Sequence, residues 1–467
     1  MKDYYTEKKE YINSKIKMKV CSLGTSVTQE DVKNLTDLVC EENPKVVIVP
    51  SFEWIKETLQ DISLSLFHMK YENARHLIDE LRNKCMDFVS GLITDTDICR
   101  MAQESIELRL NGILKMTDGA YDLLGDRKIL ASGEYISSIL VAFYLKDRGV
   151  DAALLDSSEF MCLESGRKPD METVASQVEM LTGLVEAQVY VIQSCLCKDV
   201  YGETAYFSKI CTDLYALYIA MAFHAGELIL CSPLKGVYTL CRNNAYSLSY
   251  EEAESFISAG IRLISLECIK LASQNGVTIR LVDSETWSEK SIRIGHGHAN
   301  HDVKGVVARK GVDYVCLHSL GVIPPFQFLE RSLSVFSKYK VPVYAMTSSS
   351  ANISMAVELS MDTFRLIRKE LSYFAEVVME DNVAVVCVLG HFGDDKSDVE
   401  GKVISLLKDI PILMISYGSD DNSVSLVVRE KEREEVLCIF SDAFLNTAFV
   451  REKNHHVFLG QCNAFIV

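Results

Sequence analysis

The sequence predicts an α/β fold in which a mainly parallel β-sheet lies between layers of helices, followed by two smaller β-α-β-β-α-β units. One observation behind this is the stretch Tyr206 to Asn243, which has the pattern of loop, apolar helix, buried strand and polar turn. Another is the C-terminal third, where one succession of strands and helices occurs twice. At 467 residues the chain has room for two or three domains with separate cores.

Bulk composition limits the classes of partner. The net charge of −17 and the pI near 5.1 argue against a nucleic-acid or anionic-membrane surface, because both need clustered positive charge. The 15 cysteines are scattered and include no CxxC pair, which favours reduced thiols over a disulfide framework or a zinc site. The N-terminus is too charged for a signal peptide and no apolar run approaches ~20 residues. We therefore expect a soluble, cytoplasmic protein with no membrane or nucleic-acid partner.

The first half of the chain begins with a predicted arm over residues 1–17. A strand from Met18, a turn at Gly24, a helix from Gln29 to Cys40 and a strand from Lys45 to Val49 then form a β-α-β unit. Helical periodicity over residues 57–118 predicts a helical layer or lid.

The central stretch has the pattern of an anion-binding loop and helix. Thr212 and Asp213 suit a helix start, and the apolar run Leu214 to Phe223 predicts a buried helix. Leu228 to Leu230 predicts an interior parallel strand. A loop that feeds a helix beside the carboxyl ends of parallel strands is where α/β sheets bind anionic ligands.

Three histidines, His296, His298 and His301, lie within a Gly/His/Asn-rich segment. A metal site is conceivable, but no second cluster of ligands accompanies them, so an interdomain linker is favoured and no metal site is predicted.

Four motifs resemble those of the aspartokinases, a branch of the amino-acid-kinase family, over roughly residues 18 to 445. Cys21 to Val27 aligns with Lys-Phe-Gly-Gly-Thr-Ser-Val, and Ser132-Gly133-Glu134 with His-Gly-Glu. Ser208 to Asp213 aligns with Gly-Arg-Gly-Gly-Ser-Asp, and Ser232 to Asn243 with the nucleotide segment Thr-Asp-Val-x-Gly-Ile-Tyr-Thr-x-Asp-Pro-Arg. Without this alignment, a Gly-Glu pair at a helix start would be only a complement to the helix dipole.

The resemblance implies an amino-acid-kinase-like three-layer sandwich over residues 18–293 and a linker over 294–304. Two ferredoxin-like ACT domains follow at residues 305–380 and 381–467. It also implies a homodimer formed through the ACT domains, or a tetramer of such dimers.

The resemblance further implies the residues of the site, with ATP and Mg as cofactors. The catalytic candidates are Lys209 and Asp213. Lys19 is a further candidate, because it stands two residues before Cys21, which occupies the position of the family's lysine. The candidates for binding aspartate are Thr25, Ser26, Glu134 and Thr212. The candidates for binding the nucleotide are Gly24, Ser232, Gly236, Tyr238, Arg242 and Arg262.

His318-Ser319-Leu320, Phe328-Leu329 and Ser348-Ser349 resemble the effector region of the lysine-sensitive subclass. The implied effector-binding residues are Val322, Ile323, Phe328, Leu329, Tyr344, Ser348 and Ser349. Three positions depart from that pocket, since Gln327 replaces a glycine, Tyr344 an aspartate and Ser350 a glutamate.

The catalytic motifs depart from the family pattern in ways that bear on activity. Cys21 replaces the lysine that neutralises the transferring phosphoryl group, and Ile210 and Cys211 replace glycines of a phosphate-cradling loop. One hypothesis is a working aspartate kinase, with ATP as phosphoryl donor. The alternative is a catalytically impaired paralogue that acts as an amino-acid-binding regulatory or interaction subunit.

Overall fold

The structure is a computed structural model. It describes residues 18–25, 27–117, 122–163, 168–207, 212–232, 245–259, 264–284, 291–297, 303–321, 323–390, 392, 396–416, 423–445 and 464–466. The chain divides into a first unit, Met1–Pro233 with Glu267–Gly295, and a second unit, Leu234–Leu266 with His296–Val467.

The first 295 residues contain the following strands and α-helices, in chain order. They are β1 Lys19–Ser22, α1 Gln29–Glu42, β2 Val46–Val49, α2 Glu53–Phe67, α3 Tyr71–Leu92, α4 Thr96–Met116, α5 Leu123–Asp147, β3 Ala152–Leu155, α6 Met171–Leu184, β4 Val189–Gln193, β5 Leu196–Lys198, β6 Thr204–Tyr206, α7 Thr212–Ala222, β7 Glu227–Ser232, β8 Ala245–Ser249, α8 Tyr250–Ser258, α9 Leu266–Asn275, β9 Thr278–Asp283 and β10 Ser291–Gly295. Of these, β8 and α8 belong to the second unit.

The sheet of the first unit has the strand order β3-β4-β2-β1-β7-β9-β10. Neighbouring strands from β3 to β9 are parallel, and β10 is antiparallel to β9. Every residue of β2 and β4 is buried, as expected of parallel strands that are covered on both faces. These parallel strands confirm the predicted α/β class.

Helices α2 to α5 pack with α1 over one face of this sheet and form a single apolar core with it. They confirm the helical layer that the periodicity of residues 57–118 predicts. Helix α5 is the one helix in the described ranges that is long and apolar enough to cross a membrane, with a mean hydropathy of 1.3. Because 72% of its apolar window is buried inside the structure, α5 has the character of a core helix.

The second unit continues with β11 Val303–Ser319, α10 Pro325–Lys338, β12 Val343–Ser348, β13 Asn352–Val357, α11 Met361–Leu371, β14 Ala375–Gly390, α12 Lys396–Leu406, β15 Ile412–Ser416, β16 Ser423–Arg429, α13 Arg433–Phe440 and β17 Ala464–Ile466. Its sheet has the order β12-β13-β11-β14-β16-β15, and β17 pairs with β11. Neighbouring strands along that order are antiparallel.

The long strands β11 and β14 each serve two halves of this sheet. Each half carries its own helices and its own apolar core, one around Phe328 and the other around Phe440. The β-α-β-β-α-β succession therefore occurs twice, as the internal resemblance predicts. The predicted boundary between residues 380 and 381 falls within β14, which runs unbroken across it.

Candidate functional site

The carboxyl ends of the parallel strands β3, β4, β2, β1, β7 and β9 meet along one side of the first unit's sheet, which we call the carboxyl edge. The register aligns Ser22 with Leu230, Val49 with Gln193 and Ser232 with Asp283. The connections that leave these ends are therefore neighbours, which is the usual place for a ligand in such a sheet.

The turn after β1 lies at this edge and carries two of the predicted site residues. Gly24 has a φ of 81°, which a side chain at this position would strain. The amide of Leu23 donates to the carbonyl of Ile48 at 3.1 Å, so the turn is fixed to the end of β2, and Thr25 is exposed.

Cys21, two residues upstream, belongs to the apolar core. Its side chain is fully buried, and its Sγ lies 4.0 Å from the Sγ of Cys231 on the neighbouring strand β7. The hydrogen bond with Cys21 and the burial of the site both raise the pKa of the Cys231 thiol. The position of the family's lysine is therefore filled by one of two adjacent neutral thiols.

Glu134 is carried by α5, at a position where this helix passes very close to the end of β2. A Cβ at Gly133 would lie 2.6 Å from Ser51 Oγ, so a larger residue here would force the Ser51 side chain to shift. The idea that Gly133-Glu134 complements a helix dipole is wrong, because α5 begins at Leu123, about three turns earlier. Its position at the carboxyl edge, rather than a helix end, makes Glu134 a site candidate.

Glu134 has a hydrogen-bond partner that the sequence alone does not reveal. Tyr206, the last residue of β6, donates its hydroxyl hydrogen bond to Glu134 Oε2 at 2.9 Å. Burial and the neighbouring Glu134 carboxylate raise the pKa of Tyr206, so it remains a donor at neutral pH. The sequence signal that could have pointed to Tyr206 is a hydroxyl-bearing residue at the end of the short strand β6.

Gln193 organises the backbone of the edge and was also missed. Its side chain accepts from the amide of Ser157 at 2.9 Å and donates to Ser138 Oγ at 2.9 Å. Ser137, on the same turn of α5, accepts from the amide of Phe52 at 3.0 Å. This network joins the ends of β2, β3 and β4 to α5. Its signal in the sequence is the polar residue Gln193 at the end of the otherwise largely apolar strand β4.

Thr212 and Asp213 form the first turn of α7, which confirms the predicted helix start. The helix leads into the amino end of β7, so its first turn lies at the carboxyl edge. Asp213 Oδ1 accepts from the amide of Leu214 at 2.9 Å. A helix N-terminus at this place favours a negatively charged ligand.

Lys19 lies at the opposite end of β1, away from the carboxyl edge. Its ammonium group is paired with Glu42 and is 3.8 Å from Glu227. Arg280 completes the cluster, with contacts of 2.8 Å to Glu42 and 3.3 Å to Glu227. These four residues hold the amino ends of β1 and β7 to α1 and β9. The carboxyl edge lies at the other end of the same strand, so we propose a structural role for Lys19.

Glu42 gives this ion cluster a measurable effect on stability. The hydrogen bond from Arg280, reinforced by Lys19, outweighs burial and lowers the pKa of Glu42 from 4.5 to about 2. A lowered native pKa stabilises the fold fully above about pH 4.5, and this stabilisation disappears as the pH falls towards 2. We expect Glu42→Gln to lower the free energy of unfolding by on the order of 2 kcal/mol at pH 7, with a diminishing difference below pH 4.

Urea unfolding of both proteins between pH 3 and 7 measures this difference. The matched control is Glu53→Gln, because Glu53 pairs with Lys56 on an exposed helix face and its loss should cost less than about 0.5 kcal/mol. Equal losses for the two variants at pH 7 would contradict a structural role for the cluster.

Seven predicted site residues lie outside the described residues: Ser26, Lys209, Gly236, Tyr238, Arg242, Arg262 and Val322. The structure places the backbone of Ser232 at the end of β7. Within the described ranges, no group of three or more His, Cys, Asp and Glu residues is arranged to hold a metal ion.

The predicted effector residues within the described ranges lie on or beside α10 and β12. Ile323, Phe328 and Leu329 belong to the apolar core of the first half-sheet, and Phe328 is almost fully buried. Ser349 closes the turn between β12 and β13 through its amide, which donates to the carbonyl of Asn352 at 2.8 Å. Tyr344 lies at a bulge of β12, and its ring stacks on the guanidinium of Arg309 of β11.

Comparisons with known proteins agree with this architecture. The model of the amino acid kinase family matches residues 17–283, which is more than half of the chain. The lysine-sensitive aspartokinase 3 of Escherichia coli K12 is 21% identical over 439 residues, or 89% of this chain and 96% of that protein.

Two solved structures show the same fold. An aspartate kinase of Clostridium acetobutylicum superposes with a TM-score of 0.75 at 18% identity, covering 91% of this chain and 100% of that one. Aspartokinase III of Escherichia coli, in complex with aspartate and ADP, gives a TM-score of 0.61 at 19% identity, covering 91% and 99%.

The chain therefore belongs to the amino acid kinase family. Within that family it is similar to the aspartokinases over nearly its whole length, including their C-terminal regulatory region, which confirms the resemblance found in its motifs.

Proposed function

We propose that this protein is an aspartate kinase, which transfers the γ-phosphoryl group of ATP to the β-carboxylate of aspartate, the first step towards lysine, threonine and methionine. The observation that carries the proposal is the placement of Glu134 at the carboxyl edge by the close approach of Gly133 to Ser51, with Tyr206 bonded to its carboxylate. A fixed carboxylate beside a turn and a helix N-terminus suits a substrate that has both an ammonium group and carboxylates.

The candidate residues divide the binding of aspartate among them. Glu134 and Asp213 hold the ammonium group, and the hydroxyls of Thr25 and Thr212 bind carboxylate oxygens. Tyr206 fixes the orientation of Glu134 through its 2.9 Å bond. Lys209 supplies the positive charge for the substrate carboxylate.

The transfer step needs positive charge around the phosphoryl group. ATP with Mg supplies the phosphoryl group when bound. A β-carboxylate oxygen of aspartate bonds to the γ-phosphorus while the bond from that phosphorus to the bridging oxygen breaks, which yields aspartyl phosphate and ADP. Gly24 fits this nucleotide, because its positive φ leaves backbone amides open to a phosphate. Arg262 is the residue proposed to neutralise phosphate charge, because Lys19 belongs to the distant ion cluster.

The second unit is proposed to regulate the first by binding an amino acid, as the name of the lysine-sensitive relative suggests for that protein. We propose a cytoplasmic homodimer formed through the ACT domains, or a tetramer of such dimers. Tyr344 occupies the position of an aspartate in the lysine-sensitive pocket, which argues for an effector other than lysine.

A second candidate function is a catalytically impaired regulatory subunit. The observation that favours it is Cys21, a neutral and fully buried thiol at the position of the family's catalytic lysine. Such a protein would still bind aspartate through Glu134, so binding and turnover have to be measured separately.

Tyr206→Phe tests the substrate site through binding alone. We expect aspartate to bind about 10-fold more weakly, because Glu134 loses a hydrogen bond to a charged group, worth about 1.5 to 3 kcal/mol. Isothermal titration calorimetry in the presence of Mg and a non-hydrolysable ATP analogue gives the dissociation constant of aspartate for the natural protein and for the variant. The matched control is Tyr201→Phe, because Tyr201 is 87% exposed. Unchanged affinity in Tyr206→Phe, or no binding of aspartate by the natural protein, would contradict the proposed substrate site.

A further inference from the structure

The second unit contains a cavity of about 170 Å³ that the kinase chemistry does not use. It is lined by residues of β11, β12, β14, β15 and β16 and by the C-terminal end of α8. Every wall belongs to the second unit.

The strand pattern explains why this cavity is polar. Along β16, Val424 and Leu426 point into the apolar core beneath the helices, so Ser423 and Ser425 face the opposite side. Ser416 of β15 lines the same cavity, as do Ser255 and Ser258 of α8. The hydroxyls of Ser255 and Ser258 already donate to the carbonyls of Glu251 and Glu254, so the uncharged groups that can turn towards a ligand are the serine hydroxyls of β15 and β16.

Arg309 is the charged residue of this cavity. Its guanidinium stacks on the ring of Tyr344, 4.0 Å from the ring centroid, and the β12 bulge between Val343 and Ala345 places Tyr344 there. Tyr344 in turn donates to Glu358 at 2.7 Å, which fixes its ring. The guanidinium is therefore held in place by packing.

The hydrogen-bonding capacity of Arg309 is incompletely used. Its Nε atom is buried and has no hydrogen-bond partner among the residues that the structure describes. A buried donor left unpaired costs about 1 to 3 kcal/mol, so the surrounding residues do not fully satisfy this guanidinium. No acidic side chain is among the described residues that line the cavity.

We propose that this cavity is a binding site for a small oxyanion, a carboxylate or a phosphate, held by the Arg309 guanidinium and the surrounding serine hydroxyls. The planar fork of arginine matches both kinds of group, and the cavity volume limits the ligand to a few heavy atoms. Because the ligand would touch both α8 and the sheet, its binding would tie these two elements together. The site is separate from the carboxyl edge and does not depend on the proposed kinase activity.

Titration calorimetry of the full-length protein in a buffer free of phosphate and carboxylates tests the proposal, at constant ionic strength. The probes are inorganic phosphate and acetate, in separate titrations. We expect a dissociation constant of about 1 mM or tighter for at least one probe, and a loss of at least 10-fold in Arg309→Met. The tighter probe identifies the ligand class. The matched control is Arg365→Met, since Arg365 is 76% exposed and its removal should leave binding unchanged.

Two more variants keep the test decisive if Arg309→Met is unstable. Arg309→Lys should retain part of the affinity, because charge remains without the fork. Ser425→Val should weaken binding, because it replaces a hydroxyl that lines the cavity with methyl groups. Loss of binding in Arg309→Met but not in Arg365→Met assigns the probe to this cavity rather than to the carboxyl edge, to which neither residue belongs. The proposal is overturned if neither probe binds at 10 mM, an order-of-magnitude ceiling about ten times the expected constant. It is also overturned if both Arg309 variants and Ser425→Val bind as well as the natural protein.

Discussion

If the chain is the catalytically impaired subunit, the triple variant Cys21→Lys, Ile210→Gly and Cys211→Gly is expected to turn over aspartate about 100-fold faster than the natural protein, or more. A positioned cation or donor at the reacting group is worth about 10² to 10³ in rate, and Cys21 offers only a neutral thiol. Glycines at 210 and 211 would let backbone amides approach a phosphate, although both positions lie outside the described residues.

Burial of position 21 sets the control for this experiment. A lysine there enters the apolar core beside Cys231, so the triple variant should unfold at a lower temperature than the natural protein. The matched control is Cys85→Lys, which also places a lysine in that core but far from the carboxyl edge. A rate in the triple variant that is no higher than the natural rate, with the fold intact by circular dichroism, would contradict the role assigned to position 21.

Glu134→Gln is expected to reduce kcat/KM for aspartate about 100-fold. The amide keeps the shape of the side chain and the bond from Tyr206, but it removes the negative charge that holds the ammonium group. Loss of one partner of a buried charge pair costs about 2 to 5 kcal/mol, and each 1.36 kcal/mol is a factor of ten.

Steady-state kinetics across a range of aspartate concentrations measures this change. Glu72→Gln is the matched control, because the Glu72 side chain is 90% exposed and its pair with Arg75 is on the surface. A kcat/KM within about threefold of the natural value in Glu134→Gln would show that another group binds the ammonium.

Much of this site follows from local sequence. The turn at Gly24 and the helix start at Thr212 depend on neighbouring residues and on strand direction, so motif and periodicity suffice to predict them. The swap of the family's lysine for Cys21 is also visible in the sequence alone.

The direction of a strand, however, decides what a nearby residue can reach. Lys19 stands two residues from Cys21 in the sequence, but it lies at the other end of β1 and is bound by Glu42, 23 residues away. The sequence distance alone therefore suggested a catalytic substitute, whereas partners from α1, β7 and β9 hold it in an ion cluster.

The missed residues depend on contacts between distant segments. Tyr206 reaches Glu134 across 72 residues, and Gln193 reaches Ser138 across 55. Tyr344 aligns with an effector position, but a bulge in β12 turns it towards Arg309. A bulge changes the face on which a side chain lies, and alternation along a strand does not predict it.

Formation of aspartyl hydroxamate by the purified natural protein is the most direct test of the proposed kinase activity, using ATP, Mg, aspartate and hydroxylamine. Asp213→Ala serves as the control. Turnover on the order of 1 to 1000 per second, abolished in Asp213→Ala, is the result that an aspartate kinase predicts. Turnover no higher than that of Asp213→Ala, in a protein that still binds aspartate, would contradict it and leave a regulatory subunit.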